Sequence, residues 1–239
     1  MMHEGIDIFI ALTESAGIYL ENMESRLVKM TVSISKPELL TITDSLEQKS
    51  YFGADQEWYE KSWGKKAGCG PTCASNITAY LAQTRDCYKP LFMPFSMERK
   101  DFVLHMEELF RYITPGVMGV NHVDMFTEGL IRFAKDRGID LKTKVFSIEE
   151  PSREQRFPDK LKSFVLEGLE ADCPLAFLNL SPGRESNIQP WHWITITGAD
   201  FRENGLTATA SDEGKAIRFD LLKWYLTTDK HGGLIYVVA

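Results

Sequence analysis

Apolar residues recur every three or four positions through the middle of the chain, which predicts a series of amphipathic helices. In the first of them Cys73, Ile77, Tyr80 and Leu81 share one face. Pro71 suits the first helical position, because the N–H that proline lacks has no partner there. The predicted helices cover about 71–86, 97–112, 121–136 and 157–170.

The pattern changes after Pro174, where short apolar or alternating segments replace the helical spacing. Segments of this kind predict β-strands. They lie at about 175–180, 191–197, 206–211, 216–219 and 234–238, with a short helix at 221–226 and an earlier strand at 141–146. Helices followed by antiparallel strands are typical of an α+β domain.

The length of 239 residues fits one large domain, or one domain with an appended segment. We assign residues 51–239 to the main domain. Residues 1–50 form either an N-terminal helical extension or a part of the same domain.

Charge and hydropathy exclude several classes of function. The net charge is −7 and there is no long basic cluster, so nucleic acid is not an expected partner. No stretch of 18 apolar residues suggests a transmembrane helix, and the first twelve residues lack the basic start and long apolar core of a signal peptide. We therefore expect a cytoplasmic protein with no membrane partner.

The four cysteines are Cys69, Cys73, Cys87 and Cys173, and no Cys-x-x-Cys occurs. A disulfide scaffold is therefore not expected. Cys69 and Cys73, one helical turn apart, could begin a metal site, but no second cysteine pair or His-x3-His completes it. We predict neither a metal nor an organic cofactor.

Cys69 is the first candidate for chemistry, because it lies between two glycines at the predicted start of a helix. The positive end of the helix dipole and the unpaired N–H groups there stabilise a thiolate. The flanking glycines would let a substrate backbone come close. The alternative is that Cys69 is a small apolar residue in a loop.

His192 is the second candidate. Alternation in its predicted strand places it on one face with Ile194 and Ile196. A histidine in that position points toward the core, so the alternative is a buried histidine with a purely structural hydrogen bond.

Asp212 is the third candidate, through the hairpin that follows His192. A five-residue loop at 200–204 would place Asp212 directly opposite His192, where its carboxylate could orient the imidazole. A two-residue turn at Asn204-Gly205 is the stronger local signal and would place Asp212 opposite Thr197 instead. We favour the first register, because it aligns the apolar residues of both strands on one face.

The other histidines are His3, His105, His122 and His231. None has a carboxylate placed beside it by a comparable argument, so we expect surface or structural roles for them. Cys69, His192 and Asp212 together supply a nucleophile, a base and a group that orients the base.

The sequence Gly68-Cys69-Gly70-Pro71-Thr72 before a helix resembles the active-site motif of papain-like cysteine peptidases. The likeness is closest to the bacterial branch that contains the bacteriocin leader peptidases and their stand-alone relatives. The strand pair 174–180 and 192–198 is similar to the histidine region of that branch, and Asp212 matches its third member. Three short motifs carry the resemblance over residues 51–239.

The resemblance implies a papain-like fold, with a helical lobe that carries the nucleophile and an antiparallel sheet lobe that carries His192 and Asp212. It also implies that Cys69 attacks a carbonyl carbon while His192 transfers the proton. The family usually has a glutamine about six residues before the cysteine to bind the oxyanion, but Trp63 stands there. Gln56, thirteen residues upstream of Cys69, is the candidate replacement, and its alternative is a surface glutamine.

The resulting hypothesis is a cysteine peptidase or related thiol amide hydrolase that acts on a peptide or protein. Two alternatives remain open at this stage. One is an acyltransferase that passes the same thioester to an amine, and the other is a catalytically inactive peptide-binding domain. The sequence does not indicate an oligomeric state.

Overall fold

The computed structural model describes residues 29–93, 96–148 and 156–238. The helices are α1 (Ser62–Ala67), α2 (Cys69–Thr84), α3 (Arg99–Tyr112), α4 (Val123–Lys135), α5 (Pro158–Glu170) and α6 (Leu221–Thr227). The strands are β1 (Lys29–Ser33), β2 (Thr41–Asp44), β3 (Lys49–Phe52), β4 (Lys142–Ile148), β5 (Leu175–Asn179), β6 (His192–Arg202), β7 (Gly205–Asp212), β8 (Lys215–Asp220) and β9 (Gly232–Val238).

A seven-stranded antiparallel sheet forms the larger layer; six strands follow the order β4-β9-β5-β6-β7-β8, and β1 is the seventh, paired with β6. The long strand β6 is its centre. β5 pairs with the first half of β6 and β1 pairs with the second half, while β7 lies along the other edge. Strands β2 and β3 form a separate hairpin.

Helix α2 is the centre of the helical layer, and residues 69–82 are all buried. It contacts β5 and β6 as well as α3 and α4. Its buried hydroxyl groups are satisfied within the helix, since Ser75 and Thr78 each donate a 2.8 Å hydrogen bond to the carbonyl four residues earlier. A helix surrounded by protein gives Cys69 a fixed position.

The predicted α+β class is confirmed, and the predicted helices and strands are present with ends that differ by a few residues. Two segments differ from the prediction. The region 51–66, for which no helix was predicted, contains α1, and Pro71 is the third residue of α2 rather than the first. Proline is tolerated there because its N–H would still lack a partner within the helix.

The assignment of residues 1–50 concerns two different parts of the chain. Residues 1–28 lie outside the described residues. Residues 29–50 contain no α-helix, and their strand β1 is hydrogen-bonded to β6 in the main sheet. No helix among the described residues is long and apolar enough to cross a membrane.

His105 is fully buried in α3, among the rings of Phe92, Phe102 and Phe133. Its Nε2 shares a 2.8 Å hydrogen bond with the hydroxyl of Thr78 in α2. Burial, reinforced by the charge of Arg137, lowers the pKa of His105 from 6.5 to about 3. The imidazole is therefore neutral in the folded protein at neutral pH.

We expect His105 to make the protein sensitive to mild acid. Below pH 6.5 the unfolded chain binds a proton at this position, whereas the folded chain binds it only near pH 3, so the free energy of unfolding falls as the pH falls through this range. Between pH 7 and pH 5 this histidine should remove about 2 kcal/mol. Urea unfolding at both pH values should give a smaller loss for His105→Gln than for the wild type.

The exposed His122 supplies the matched control, because His122→Gln removes a histidine without changing the buried one. An equal loss of stability in the wild type and in His105→Gln would contradict the role of His105.

Candidate active site

Cys69 is the first residue of α2, at a break between two consecutive helices. Helix α1 ends at Ala67, and the N–H of Gly68 donates a 2.8 Å hydrogen bond back to the carbonyl of Gly64. The chain then turns into α2, so Cys69 lies where the first N–H groups of the new helix have no partner within it. The structure confirms the prediction that Cys69 lies at the start of a helix.

The two glycines beside Cys69 are required by packing within the protein. A Cβ on Gly68 would lie 2.4 Å from the carbonyl oxygen of Gly64 and 2.4 Å from the ring of Tyr59. A Cβ on Gly70 would lie 3.0 Å from Val120. Both glycines are therefore required by the packing of the protein, and the approach of a substrate backbone to them stays a prediction.

His192 and Asp212 form a short hydrogen bond. The imidazole Nε2 donates to the carboxylate Oδ1 over 2.7 Å, and each side chain is about 10% exposed. The pairing of these two residues agrees with the sequence analysis, but the predicted register does not.

The hairpin uses neither of the registers considered. β6 and β7 are joined by a two-residue turn at positions 203 and 204, with Arg202 opposite Gly205. A bulge at Thr197 then shifts the pairing by one residue, so that Thr195 lies opposite Ser211. Asp212 is consequently level with Ile194 and reaches His192 diagonally, which a histidine side chain can bridge.

The environment of His192 favours its protonated form. Burial alone would lower its pKa, but hydrogen bonding of the imidazole to Asp212 and Cys69, together with the charges of both groups, outweighs burial and raises the pKa of His192 from 6.5 to about 10. Because Nε2 is committed to Asp212, Nδ1 is the ring nitrogen that remains for Cys69. Cys69 and His192 line one small cavity.

Gln56 lies in the same site. It begins a short 3₁₀ turn whose N-cap is Asp55, and its side chain makes no hydrogen bond to any described residue. Its Oε1 is buried and has no hydrogen-bond partner among the described residues, although the residue as a whole is half-buried. A small cavity of about 10 Å³ is lined by Gln56, Cys69, His192 and Asp212, together with residues of α2 and of the β7–β8 turn.

Asn76 is a site residue that the sequence analysis did not single out. Its amide accepts a 2.9 Å hydrogen bond from the N–H of Ala54 and donates a 3.2 Å bond to Thr195. It therefore fixes the segment that leads to Gln56 against β6. The available signal was an amide side chain two helical turns after Cys69, on the same face of the helix.

A second link fixes that segment to the strand of Asp212. Gly53 has a φ of +74°, and Ser211 donates a 2.7 Å hydrogen bond to the neighbouring carbonyl of Phe52. A side chain at Gly53 would clash with Ser211, because its Cβ would lie 2.1 Å from the hydroxyl oxygen. Through the hydrogen bonds of Asn76 and Ser211, the segment that carries Gln56 is fixed to β6 and to the end of β7.

Cys73 lies one turn beyond Cys69 and lines the same cavity. Its thiol donates to the carbonyl of Ile194 over 3.2 Å and accepts a bond from Thr195 over 3.4 Å. Burial raises the pKa of Cys73 to about 12, with the Thr195 bond acting in the opposite direction. Cys73 is therefore an inert thiol.

His192, Asp212 and Glu213 have potential metal-ligand atoms within 4.8 Å of one another. The described residues thus include a group that could hold a cation, although the Nε2 of His192 is already hydrogen-bonded to Asp212. A metal bound there would have to displace that proton.

Comparison with known proteins does not assign this chain to a family. No protein-family model and no curated protein matches it.

Proposed function

We propose that this protein is a cysteine peptidase, or a related thiol amide hydrolase, with a papain-like arrangement of its active site. The observation that carries the proposal is the convergence of four side chains on one small cavity: Gln56, Cys69, His192 and Asp212. A buried histidine that is bonded to a carboxylate and interacts with a thiol is the arrangement that activates a cysteine nucleophile.

Each group has a role in the proposed reaction. The thiolate of Cys69 attacks the carbonyl carbon, and the π electrons of the carbonyl move to its oxygen. When the tetrahedral intermediate collapses, the C–N bond breaks and imidazolium His192 gives its proton to the departing amine. Asp212 holds the imidazole in the required orientation throughout.

The thioester is then hydrolysed by water. Neutral His192 takes a proton from the water as its oxygen attacks the thioester carbon, and the C–S bond breaks to release the acid and regenerate the thiolate. In both steps the negative oxygen is stabilised by the backbone N–H of Cys69 and by the amide of Gln56. Gln56 here takes the role of the family's glutamine, which would stand six residues before Cys69, where this sequence has Trp63.

We expect iodoacetamide to label Cys69 faster than Cys87 at pH 6, even though Cys69 is 9% exposed and Cys87 is on the surface. The reason is that imidazolium His192 stabilises the Cys69 thiolate, which is the reactive form. Peptide mass mapping measures both rates in one sample. His192→Ala should slow labelling of Cys69 at least about tenfold and leave Cys87 unchanged, and His122→Ala is the matched control.

Cleavage of a protein substrate tests the proposed hydrolase activity. Wild type and Cys87→Ala should release new N-termini from unfolded casein, and Cys69→Ala should not. Adding an amine such as hydroxylamine separates the acyltransferase, whose product would incorporate the amine in preference to water. Slow labelling of Cys69 that His192→Ala does not change, together with no cleavage, would overturn the proposal.

A further inference from the structure

A groove of about 260 Å³ lies beside Cys69. Large apolar side chains from three separate segments line it: Trp63 of α1, Val117 and Met118 of the loop before α4, and Trp191 before β6. Cys69 lines both this groove and the small cavity. We call the feature the Trp63 groove.

The apolar side chains of the Trp63 groove are unusually exposed. Trp63 and Trp191 are 43% and 42% exposed, Met118 is 56% exposed and Val117 is 94% exposed. Exposed apolar area is unfavourable in water at about 25 cal/mol per Å². Contiguous exposure of this kind marks a binding surface.

The backbone that presents these side chains is held in defined conformations. Trp191 has a φ of +57°, which is strained for a bulky residue, and the ammonium of Lys230 lies 5.3 Å from the centre of its ring. Gly116 and Gly119 exchange hydrogen bonds of 3.1 and 2.9 Å across the turn that carries Val117 and Met118. The walls of the groove are therefore formed before any ligand binds.

The Trp63 groove and the small cavity differ greatly in volume. The small cavity, at about 10 Å³, has room for about one water molecule and for no side chain. The Trp63 groove, at about 260 Å³, accommodates a side chain the size of leucine or phenylalanine. A peptide whose carbonyl carbon reaches Cys69 can therefore place a neighbouring side chain in the groove but not in the small cavity.

The charge of the groove is positive. Lys66 is the charged residue in its lining, and it makes no ion pair or hydrogen bond with another described residue. Lys230 adds a second positive charge at Trp191. A negatively charged group on the ligand would therefore be attracted at the rim.

We propose that the Trp63 groove binds a large apolar side chain adjacent to the scissile bond of a peptide substrate, with an acidic residue next to that side chain. This inference rests on the proposed function. The groove selects the substrate by apolar burial, and Lys66 selects the charge beside it.

The test uses short internally quenched peptides that differ at two adjacent positions, with cleavage sites located by mass spectrometry. We expect kcat/KM for a Leu-Glu peptide to exceed that for an Ala-Glu peptide at least about tenfold. Glu should be preferred to Lys beside the leucine by about threefold, and less at high salt, because the contact with Lys66 is exposed. Lys66→Glu should reverse the charge preference.

Met118→Ser should reduce the preference for leucine over alanine without abolishing cleavage of the alanine peptide. The matched control is Leu46→Ser, because Leu46 is 94% exposed but lies in the turn between β2 and β3. Cleavage with no preference for leucine would overturn the proposed role of the Trp63 groove and leave the proposed function in place.

Binding to Cys69→Ala separates the two proposals further. Fluorescence anisotropy should show tighter binding of the Leu-Glu peptide than of the Ala-Glu peptide. The same preference with no cleavage by the wild type would overturn the hydrolase and support the groove. Absence of both binding and cleavage, with a dimer that Met118→Ser dissociates in sedimentation, would identify the groove as an interface between two copies and overturn the inference.

Discussion

Replacing Asp212 by asparagine is expected to lower kcat by up to about 10⁴-fold, the loss seen when the carboxylate behind the histidine of a serine triad becomes an amide. The change keeps the shape of the side chain but removes the charge and one acceptor from a 2.7 Å hydrogen bond. His192 is then free to adopt the wrong tautomer and loses the charge that stabilises its imidazolium form. The effect should appear in kcat rather than in KM, because Asp212 acts on the histidine and not on the substrate.

The pH profile distinguishes this role from a loss of folding. In the wild type the proton on His192 is retained until the pH approaches its raised pKa of about 10, so the step that protonates the amine should fail only at high pH. In Asp212→Asn, burial lowers the pKa with less opposition, and the alkaline limb should move to lower pH. The NMR shift of the His192 ring proton at Cε1 measures the same change directly.

Asp200→Asn is the matched control, because Asp200 is also a bonded carboxylate in the main sheet. It accepts hydrogen bonds from Thr31 and Arg218, far along β6 from the site. Equal losses in the two variants would reduce Asp212 to a structural residue. If chelation by EDTA removed wild-type activity and zinc restored it, His192, Asp212 and Glu213 would instead be metal ligands.

The sequence predicted the partnership of His192 and Asp212 for a reason that was only partly right. Apolar alternation correctly requires Asp212 to share a face with His192, because a one-residue slip reverses every side chain. The loop length was wrong, since the turn has two residues and neither Asn204 nor Gly205 adopts a positive φ. An Asn-Gly turn of the usual hairpin type is therefore absent here.

The bulge at Thr197 explains how Asp212 shares a face with His192 despite the short turn. Without it, the pairing near the turn would continue and place Asp212 opposite Thr195, on the face away from His192. The extra residue restores the alternation in the last part of the hairpin. Strand propensity does not locate such a bulge, because Thr197 is an ordinary strand residue and its conformation depends on the pairing of both strands.

The α+β class and the helix that carries Cys69 were predictable, because both follow from local periodicity. The hairpin of β2 and β3, helix α1 and the role of Asn76 were not, because they depend on contacts between segments far apart in the chain. Asn76, for example, bonds to Ala54 and Thr195, which lie 22 and 119 residues away. The pattern of residues along the sequence does not show which distant residues form such hydrogen bonds.

The spacing between Gln56 and Cys69 is explained by α1. The resemblance led us to look six residues before the cysteine, where Trp63 lines the exposed groove. Helix α1 takes up six of the twelve residues between Gln56 and Cys69, and Gln56 lines the small cavity despite its distance in sequence. The alternative of a surface glutamine does not fit its buried and unpartnered amide oxygen.

We expect Gln56→Ala to lower kcat by about 10² to 10³-fold with little change in KM, because an oxyanion donor acts mainly in the transition state. The side chain makes no hydrogen bond within the described residues, so its removal should leave the free energy of unfolding nearly unchanged. Gln56→Glu should be at least as slow, since a carboxylate repels the oxyanion. Hydrolysis of the Leu-Glu peptide and urea unfolding measure the two quantities.

Glu57→Ala is the control within the same 3₁₀ turn, because the Glu57 side chain is exposed and only its backbone N–H bonds to Asp55. Full activity in Gln56→Ala would mean that the N–H of Cys69 is sufficient for the oxyanion. A loss of activity that tracks a loss of stability would instead mean that Gln56 supports the loop. A large loss in kcat at unchanged stability, with Glu57→Ala active, requires the amide to act on the reaction itself, and it would join the start of α2 and the 3₁₀ turn in one oxyanion site.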